Sequence, residues 1–197
     1  MYNTKTAVIS NTDSSYMPAG INGDIYLKEI NVRKSPTDKD FLEIVFENEQ
    51  GQTATMTEWK NEKNTWIKTD EDLQHRDDLQ FGRIMQLINC FDLSVDAEFN
   101  TFAEMINWVK KTLDPFTKTK KYLRLKVSYD KNNYTRVSTY GIYVEPMDVT
   151  KTQIKKYARD NFERQVIADV ENTSDPLTTS TSSIPESGES SANDLPF

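Results

Sequence analysis

The chain has 197 residues, 24 basic and 31 acidic side chains, and a formal net charge of −7. A single cysteine, Cys90, and a single histidine, His75, leave no pair for an internal disulfide, no cysteine zinc cluster and no histidine-rich metal centre. No apolar run approaches the ~18 residues that span a bilayer and the start of the chain lacks the apolar core of a secretory signal, so a cytoplasmic protein with no membrane partner is expected.

Residues 1–18 are polar and irregular, which predicts a flexible arm or a short edge strand ending at Met17-Pro18. The turn Gly20-Ile21-Asn22-Gly23 leads into a strand over residues 24–33. Ile25 and Leu27 share one face of it, whereas Ile30 and Val32 fall on the opposite parity; a bulge near Lys28-Glu29 returns all four to one core and bends the strand. A second strand, residues 41–47, alternates Leu42, Ile44 and Phe46 on one face. The turn Asn48-Glu49-Gln50-Gly51 then gives a third strand, residues 52–60, with Ala54 and Met56 on one side and Thr53, Thr55, Thr57 and Trp59 on the other.

Residues 61–120 change to helical periodicity. Leu79, Ile84, Leu87, Ile88 and Phe91 form a stripe behind an acidic start at Asp77-Asp78, with Asp70-Glu71-Asp72 and His75 in the preceding loop. Thr101 and Glu104 make a capping-box pattern for a second helix, whose stripe is Phe102, Met105, Ile106, Val109 and Leu113 and which stops before Asp114-Pro115. A strand over 121–129 points Leu123, Leu125 and Val127 inward, and Tyr122, Arg124, Lys126 and Ser128 outward. After a turn at 130–133, another strand runs from 134 to about 144 and is ended by Pro146. Residues 148–168 read as a basic C-terminal helix with Ile154, Tyr157 and Phe162 on one side.

The order is β-β-β, helical insert, β-β, helix. It predicts a mainly β body over residues 19–147: a five-stranded OB-like barrel (β-β-β-α-β-β) with its insert at 61–120. A first strand that bends is what a small barrel needs in order to close. An open α+β sheet covered by the helices is the alternative, because element order alone does not establish closure.

Residues 169–197 hold six acidic side chains and no Lys or Arg, are dominated by Ser and Thr, and include Pro176, Pro185 and Gly188. Such a segment has too little apolar surface to offset the entropy of ordering, and a disordered acidic tail is expected. It ends in Asp194-Leu195-Pro196-Phe197, where Phe197 supplies an apolar anchor with a carboxylate and Pro196 limits the conformations lost on docking. The bland reading is an apolar last residue by chance. Residues 1–168, by contrast, are near neutral, with 24 basic and 25 acidic side chains, so any polyanion binding must rest on local clustering.

With this strand order and this tip, the chain resembles the single-stranded DNA-binding proteins of bacteria and their phages. The resemblance implies an OB-like body that coats single-stranded DNA, without sequence preference, during replication, recombination or repair. It also implies a tip, Asp194, Leu195, Pro196 and Phe197, that recruits replication or repair proteins. A homo-oligomer is compatible with it, and the compartment would be the bacterial host cytoplasm if the chain is phage-encoded. An acidic tether of this kind can also compete with DNA for a basic groove at high effective concentration.

Single strands are held by stacking bases on aromatics in a groove whose Lys and Arg follow the phosphates. Residues 110–140 carry nine basic side chains against two acidic ones, Asp114 and Asp130, interleaved with Tyr122, Tyr129, Tyr134 and Tyr140. The expected interface takes its aromatics from Tyr26, Trp59, Trp66, Tyr122, Tyr129, Tyr134 and Tyr140. Its cations come from Lys28, Arg33, Lys34, Lys60, Arg124, Lys126, Lys131 and Arg136. A solvated sheet face whose tyrosines merely cover apolar surface gives the same pattern at any one position.

No catalytic residue, metal or cofactor is expected, since no nucleophile–base pair, phosphate loop or zinc motif is present. Two rivals remain. Asp38 and Asp40 after Pro36, with Glu58-Trp59-Lys60, resemble the pattern of a family of metal-dependent nucleases, although Thr37 splits the Pro-Asp pair; there Asp40 and Glu58 would hold Mg²⁺ and Lys60 would face the attacking water or phosphate. Alternatively, the body is a protein–protein adaptor without nucleic acid, and the tail does the work.

Overall fold

β1 (Gly20–Lys34) is the centre of the architecture, and its apolar residues change parity halfway along. In the computed structural model, which describes residues 15–165, one extra residue absorbs that change. Leu27 faces Phe46 of β2 (Asp40–Asn48) while Glu29 faces the adjacent Val45, leaving Lys28 in the bulge. Ile25, Leu27 and Ile30 are therefore all buried, and Val32 packs against the same core. A second register shift, on the edge that pairs with β4 (Leu123–Tyr129), lies between Asn22 and Ile25 and includes Asp24 at φ 55°, a left-handed conformation that Asp tolerates better than most residues. Residues 1–14 and 166–197 lie outside the described residues, and with them most of the expected arm, the last turn of the expected C-terminal helix, and the acidic tail with its tip.

β2 and β3 (Thr53–Trp59) complete an antiparallel meander in the expected register, burying Leu42, Ile44 and Phe46 against Ala54 and Met56. The last part of the arm behaves as the short edge strand: Tyr16 makes a parallel bridge to Thr53, and Met17 is fully buried. β4 (Leu123–Tyr129) pairs with the other edge of β1, and β5 (Thr135–Val137) and β6 (Val144–Pro146) both pair with the far edge of β4. The result is an open antiparallel sheet of six strands in the order β3-β2-β1-β4-β5, with β6 beside β4. Among the described residues no ladder joins β3 to β5, so the expected five-stranded closed barrel is not formed by hydrogen bonds.

Three expectations are corrected. The single strand over 134–144 is two short strands, because the backbone leaves the ladder between Ser138 and Tyr143. Ser138 donates to the Lys126 carbonyl at 2.9 Å and the Lys126 N–H donates to Tyr143 at 2.8 Å, so one residue of β4 is bonded on both sides of the excursion. Gly141, at φ 68°, turns the chain back. The first helix, α1 (Asp70–Asn89), begins well before Asp77: Thr69 caps it, with Asp72 completing the capping box, so Asp70-Glu71-Asp72 is its first turn and His75 lies on it. Leu79 is exposed rather than part of the buried stripe, while Ile84, Leu87 and Ile88 are buried. α2 (Phe102–Leu113) follows expectation, with Thr101 and Glu104 bonded as a capping box; a short 3₁₀ turn, Asp114–Lys118, leads to β4.

The third correction is the C-terminal segment. Residues 151–165 contain no helix. Their backbone groups are taken by the sheet and by side chains instead: the Gln153 N–H by Glu145 at 2.9 Å, the Tyr157 N–H by Asp160 at 2.8 Å, the Asn161 carbonyl by the Tyr129 N–H at 2.7 Å, and the Gln165 N–H by Asn133 at 2.8 Å. The segment is a strap laid across β4.

Candidate nucleic-acid interface

The outward row of β4, expected to meet phosphates, is instead covered. Lys126 is completely buried. Its ammonium donates to the Tyr140 carbonyl at 2.7 Å, the Lys155 carbonyl at 3.2 Å and Asp160 Oδ2 at 2.8 Å. A lysine on the outer parity of a strand is normally solvated; here the excursion 138–143 and the strap close over it, and three acceptors satisfy its three donors. Arg124 is ion-paired with Glu145, which also accepts from the strap at Gln153. Ser138 donates to the other oxygen of Asp160. Burial pushes the Asp160 carboxyl up, but the hydrogen bonds from Lys126, Ser138 and the Tyr157 N–H outweigh it and hold the group below its ordinary range.

The remaining cations expected on the β1–β2 face are also engaged. Lys28 pairs with Glu47 at 2.5 Å, Arg33 with Glu43 at 2.7 Å and Lys34 with Asp38 at 2.8 Å. The Tyr26 hydroxyl donates to Glu47 at 2.6 Å, a bond that pushes its pKa up to about 12, and Tyr122 donates to Glu49 at 2.6 Å. This face is close to charge-balanced.

Six of the cations without an ion pair among the described residues lie around β5 and on the strap. Lys131 and Arg136 are exposed around β5, and Lys155, Lys156, Arg159 and Arg164 are exposed along the strap. Lys131, Arg136 and Arg159 line a cleft of about 340 Å³ together with Thr55, Met56 and Thr57 of β3, Tyr129, Asp130, Tyr140, Asp160 and Asn161, while Lys155, Lys156 and Arg164 lie on the strap outside this lining. Aromatic rings lie between the charges. Arg159 sits over the Tyr140 ring at 5.5 Å, Arg164 over Tyr129 at 5.6 Å and Lys156 over Phe162 at 5.2 Å. Tyr157 meets Tyr140 edge-on, with ring centres 4.9 Å apart. Tyr134, 68 % exposed, stands at the turn before β5.

From this cleft the outer face of β3 continues through Thr57 to Trp59. That indole is stacked on Phe41 at 4.4 Å yet remains 44 % exposed. Lys60, unpaired among the described residues, follows it and lines a second hollow of about 400 Å³ with Asp40, Glu62 and Phe102. Trp66 is 87 % exposed, on a turn fixed by Asn64, whose side chain accepts from the N–H groups of Trp66 at 2.8 Å and Ile67 at 3.1 Å.

Of the sequence candidates, the structure thus brings Tyr129, Lys131, Arg136 and Tyr140 to one cleft, and places Trp59 at the end of β3 with Lys60 just beyond it. It buries Lys126, ties up Lys28, Arg33, Lys34 and Arg124, and bonds Tyr26 and Tyr122 to glutamates. Sequence reasoning missed Lys155, Lys156, Arg159 and Arg164 as site residues, although their density in an otherwise polar segment was the available signal. For the nuclease pattern, Glu58 is buried, with both oxygens held by Arg83 and Gln80 on α1. No group of three or more metal-ligating side chains occurs among the described residues, and no described helix is long and apolar enough to cross a membrane. The sequence matches no protein-family model and no curated protein.

Proposed function

We propose that the protein binds single-stranded DNA without sequence preference, using the cleft between β3 and β5 and the basic strap beside it. One observation carries this reading. Lys131, Arg136 and Arg159 line one cleft with Tyr129 and Tyr140, and the strap that supplies Arg159 also carries Lys155, Lys156 and Arg164, none of the six in an ion pair, beside Tyr157 and Phe162. Phosphates need the cations and bases the rings. The same cations would add little to fold stability, since each stands in solvent without an ion pair.

We read the sheet as a partly open OB-like barrel whose seam is this cleft, because β3 and β5, the two ends of the strand path, form its opposite walls. Trp59 then extends the path along β3, offering a supported indole face to a base. Coating single strands in replication, recombination or repair, and recruitment of partner proteins through Asp194, Leu195, Pro196 and Phe197, complete the proposal; both rest on the sequence resemblance.

The test is fluorescence anisotropy with labelled oligo-dT across a salt series, with duplex of the same length as competitor. The reading expects binding that duplex does not displace. Its log–log salt slope should be about −0.7 for each phosphate neutralised. Absence of binding at low salt removes nucleic acid and leaves the adaptor reading.

A further inference from the structure

We propose that Asp160 is the positioning residue of this interface: without touching nucleic acid, it fastens the strap beside the cleft through the buried Lys126, and single-strand affinity depends on that pair. The proposal rests on the single-strand reading above.

Within residues 151–165 only Ile154 and Asp160 are buried; every other side chain is exposed or half-exposed. Apolar burial therefore holds the strap weakly, and the polar cluster under it must do most of the fastening. That cluster is complete. Lys126 spends its three N–H bonds on Tyr140, Lys155 and Asp160, and Asp160 accepts from Lys126, from Ser138 and from the Tyr157 N–H. The two charges come from residues 34 apart in sequence, and their side chains are 0 % and 1 % exposed.

A buried ammonium that loses its carboxylate cannot stay where it is without a large penalty. The least costly response is for the strap to lift and let water reach Lys126, because the sheet beneath is held by β1 and by the core. Lys155, Lys156 and Arg159, which the strap carries, with Arg159 in the cleft wall, would leave with it. Tyr157 would leave too: its ring covers Gly141, where a Cβ would lie only 2.6–2.8 Å from ring and hydroxyl atoms, so the docked ring depends on close approach to bare backbone.

The experiment compares the full-length protein with Asp160→Asn and with the double variant Asp160→Asn/Lys126→Met. Asparagine keeps one acceptor oxygen for the Tyr157 N–H and turns its amide to the Ser138 hydroxyl, but it removes the charge that faces Lys126, and methionine then removes the stranded ammonium. Two readings are taken: trypsin cleavage after Lys155, Lys156 and Arg159 without nucleic acid, and the salt dependence of oligo-dT binding.

In D160N, rapid cleavage at these three sites is expected, with a salt slope flatter by about 2 as three phosphate contacts are lost. The double variant, whose methionine also removes the bonds to the Tyr140 and Lys155 carbonyls, should fold with its strap as open and its slope as flat as in D160N. A strap in D160N as resistant as in the unaltered protein overturns the proposal, and so does a loosened strap with an unchanged slope. If D160N does not fold, the double variant decides: folded but cleaved, with a flattened slope, supports the proposal, and folded and protected with the full slope overturns it. Failure of the unaltered protein to bind oligo-dT at low salt is the separate failure of the single-strand reading, and the dependence of affinity on Asp160 falls with it.

Discussion

Arg83 of α1 holds both carboxylate oxygens of Glu58 in β3, Nε to Oε1 at 2.9 Å and Nη2 to Oε2 at 2.8 Å, while Gln80 adds a third bond to Oε2 at 2.8 Å. A glutamate so engaged serves as the clamp between helix and sheet. Glu58→Ala should lower the unfolding free energy by about 3 kcal/mol, the usual scale when one partner of a buried pair is removed, as read by urea denaturation. Oligo-dT incubated with Mg²⁺ should stay intact with either protein. Mg²⁺-dependent cleavage that Glu58→Ala abolishes would revive the nuclease reading.

Arginines that look equivalent in the sequence should separate by their partners. Arg33 pairs with Glu43 on the sheet face, whereas Arg136 stands in the cleft wall without one. Arg136→Ala is expected to weaken oligo-dT binding for all sequences alike and to flatten the salt slope by about 0.7. Arg33→Ala should change neither quantity appreciably. Equal effects in a salt titration would show that the strand runs over the β1–β2 face instead.

Acid should release the strap. Asp160 belongs to it and Glu145 bonds to it, and both are held below the ordinary carboxylate range: burial raises each, and hydrogen bonds from the strap and from Lys126 or Arg124 more than offset that. Because the folded values are depressed, the stabilisation is fully present above the unfolded range near about 4 and is lost as pH falls through the lower folded values. Amide exchange at Tyr157 and Tyr129, the donors to Asp160 and Asn161, should keep its protection from neutral pH to about pH 5 and lose it below about pH 4. Loss already near neutrality would contradict the assignment.

Gly141→Ala probes the excursion between β5 and β6. Alanine is strained at φ 68°, and its Cβ meets the Tyr157 ring, so a cost of at least about 1 kcal/mol is expected. The strap should loosen as well. Thermal unfolding together with trypsin sensitivity after Lys155 and Lys156 measures both, and an unchanged strap would mean that Tyr157 does not need its seat.

Much of the sheet was legible because its signals are local. The alternation in β2, the parity change in β1 and the Thr101–Glu104 cap each concern residues a few positions apart, and each appears as expected. The start of α1 was hidden because its first turns bury almost nothing: Thr69 and Asp72 form the cap, but Leu73 and Leu79 give no apolar stripe. The strap was missed for a different reason. Its composition suits a helix, and what prevents one is a set of acceptors and donors on distant residues, Asn133, Glu145 and Tyr129. Lys126 was misassigned by the same blindness, since parity says which way a side chain leaves the strand and nothing about what later covers it.

β1 also carries a consequence for assembly of the fold. On one edge it pairs with β2, a few residues away along the chain; on the other it pairs with β4, so that Gly20 meets Val127 and Ile25 meets Leu123. Closing the first pairing costs little chain entropy, while the second must enclose β2, β3 and both helices. The three-stranded meander is thus the natural early nucleus, with β4 arriving late. The strap, whose seat is the outer face of β4, arrives last, and during synthesis the surface that gathers the free cations is the final part of the body to exist.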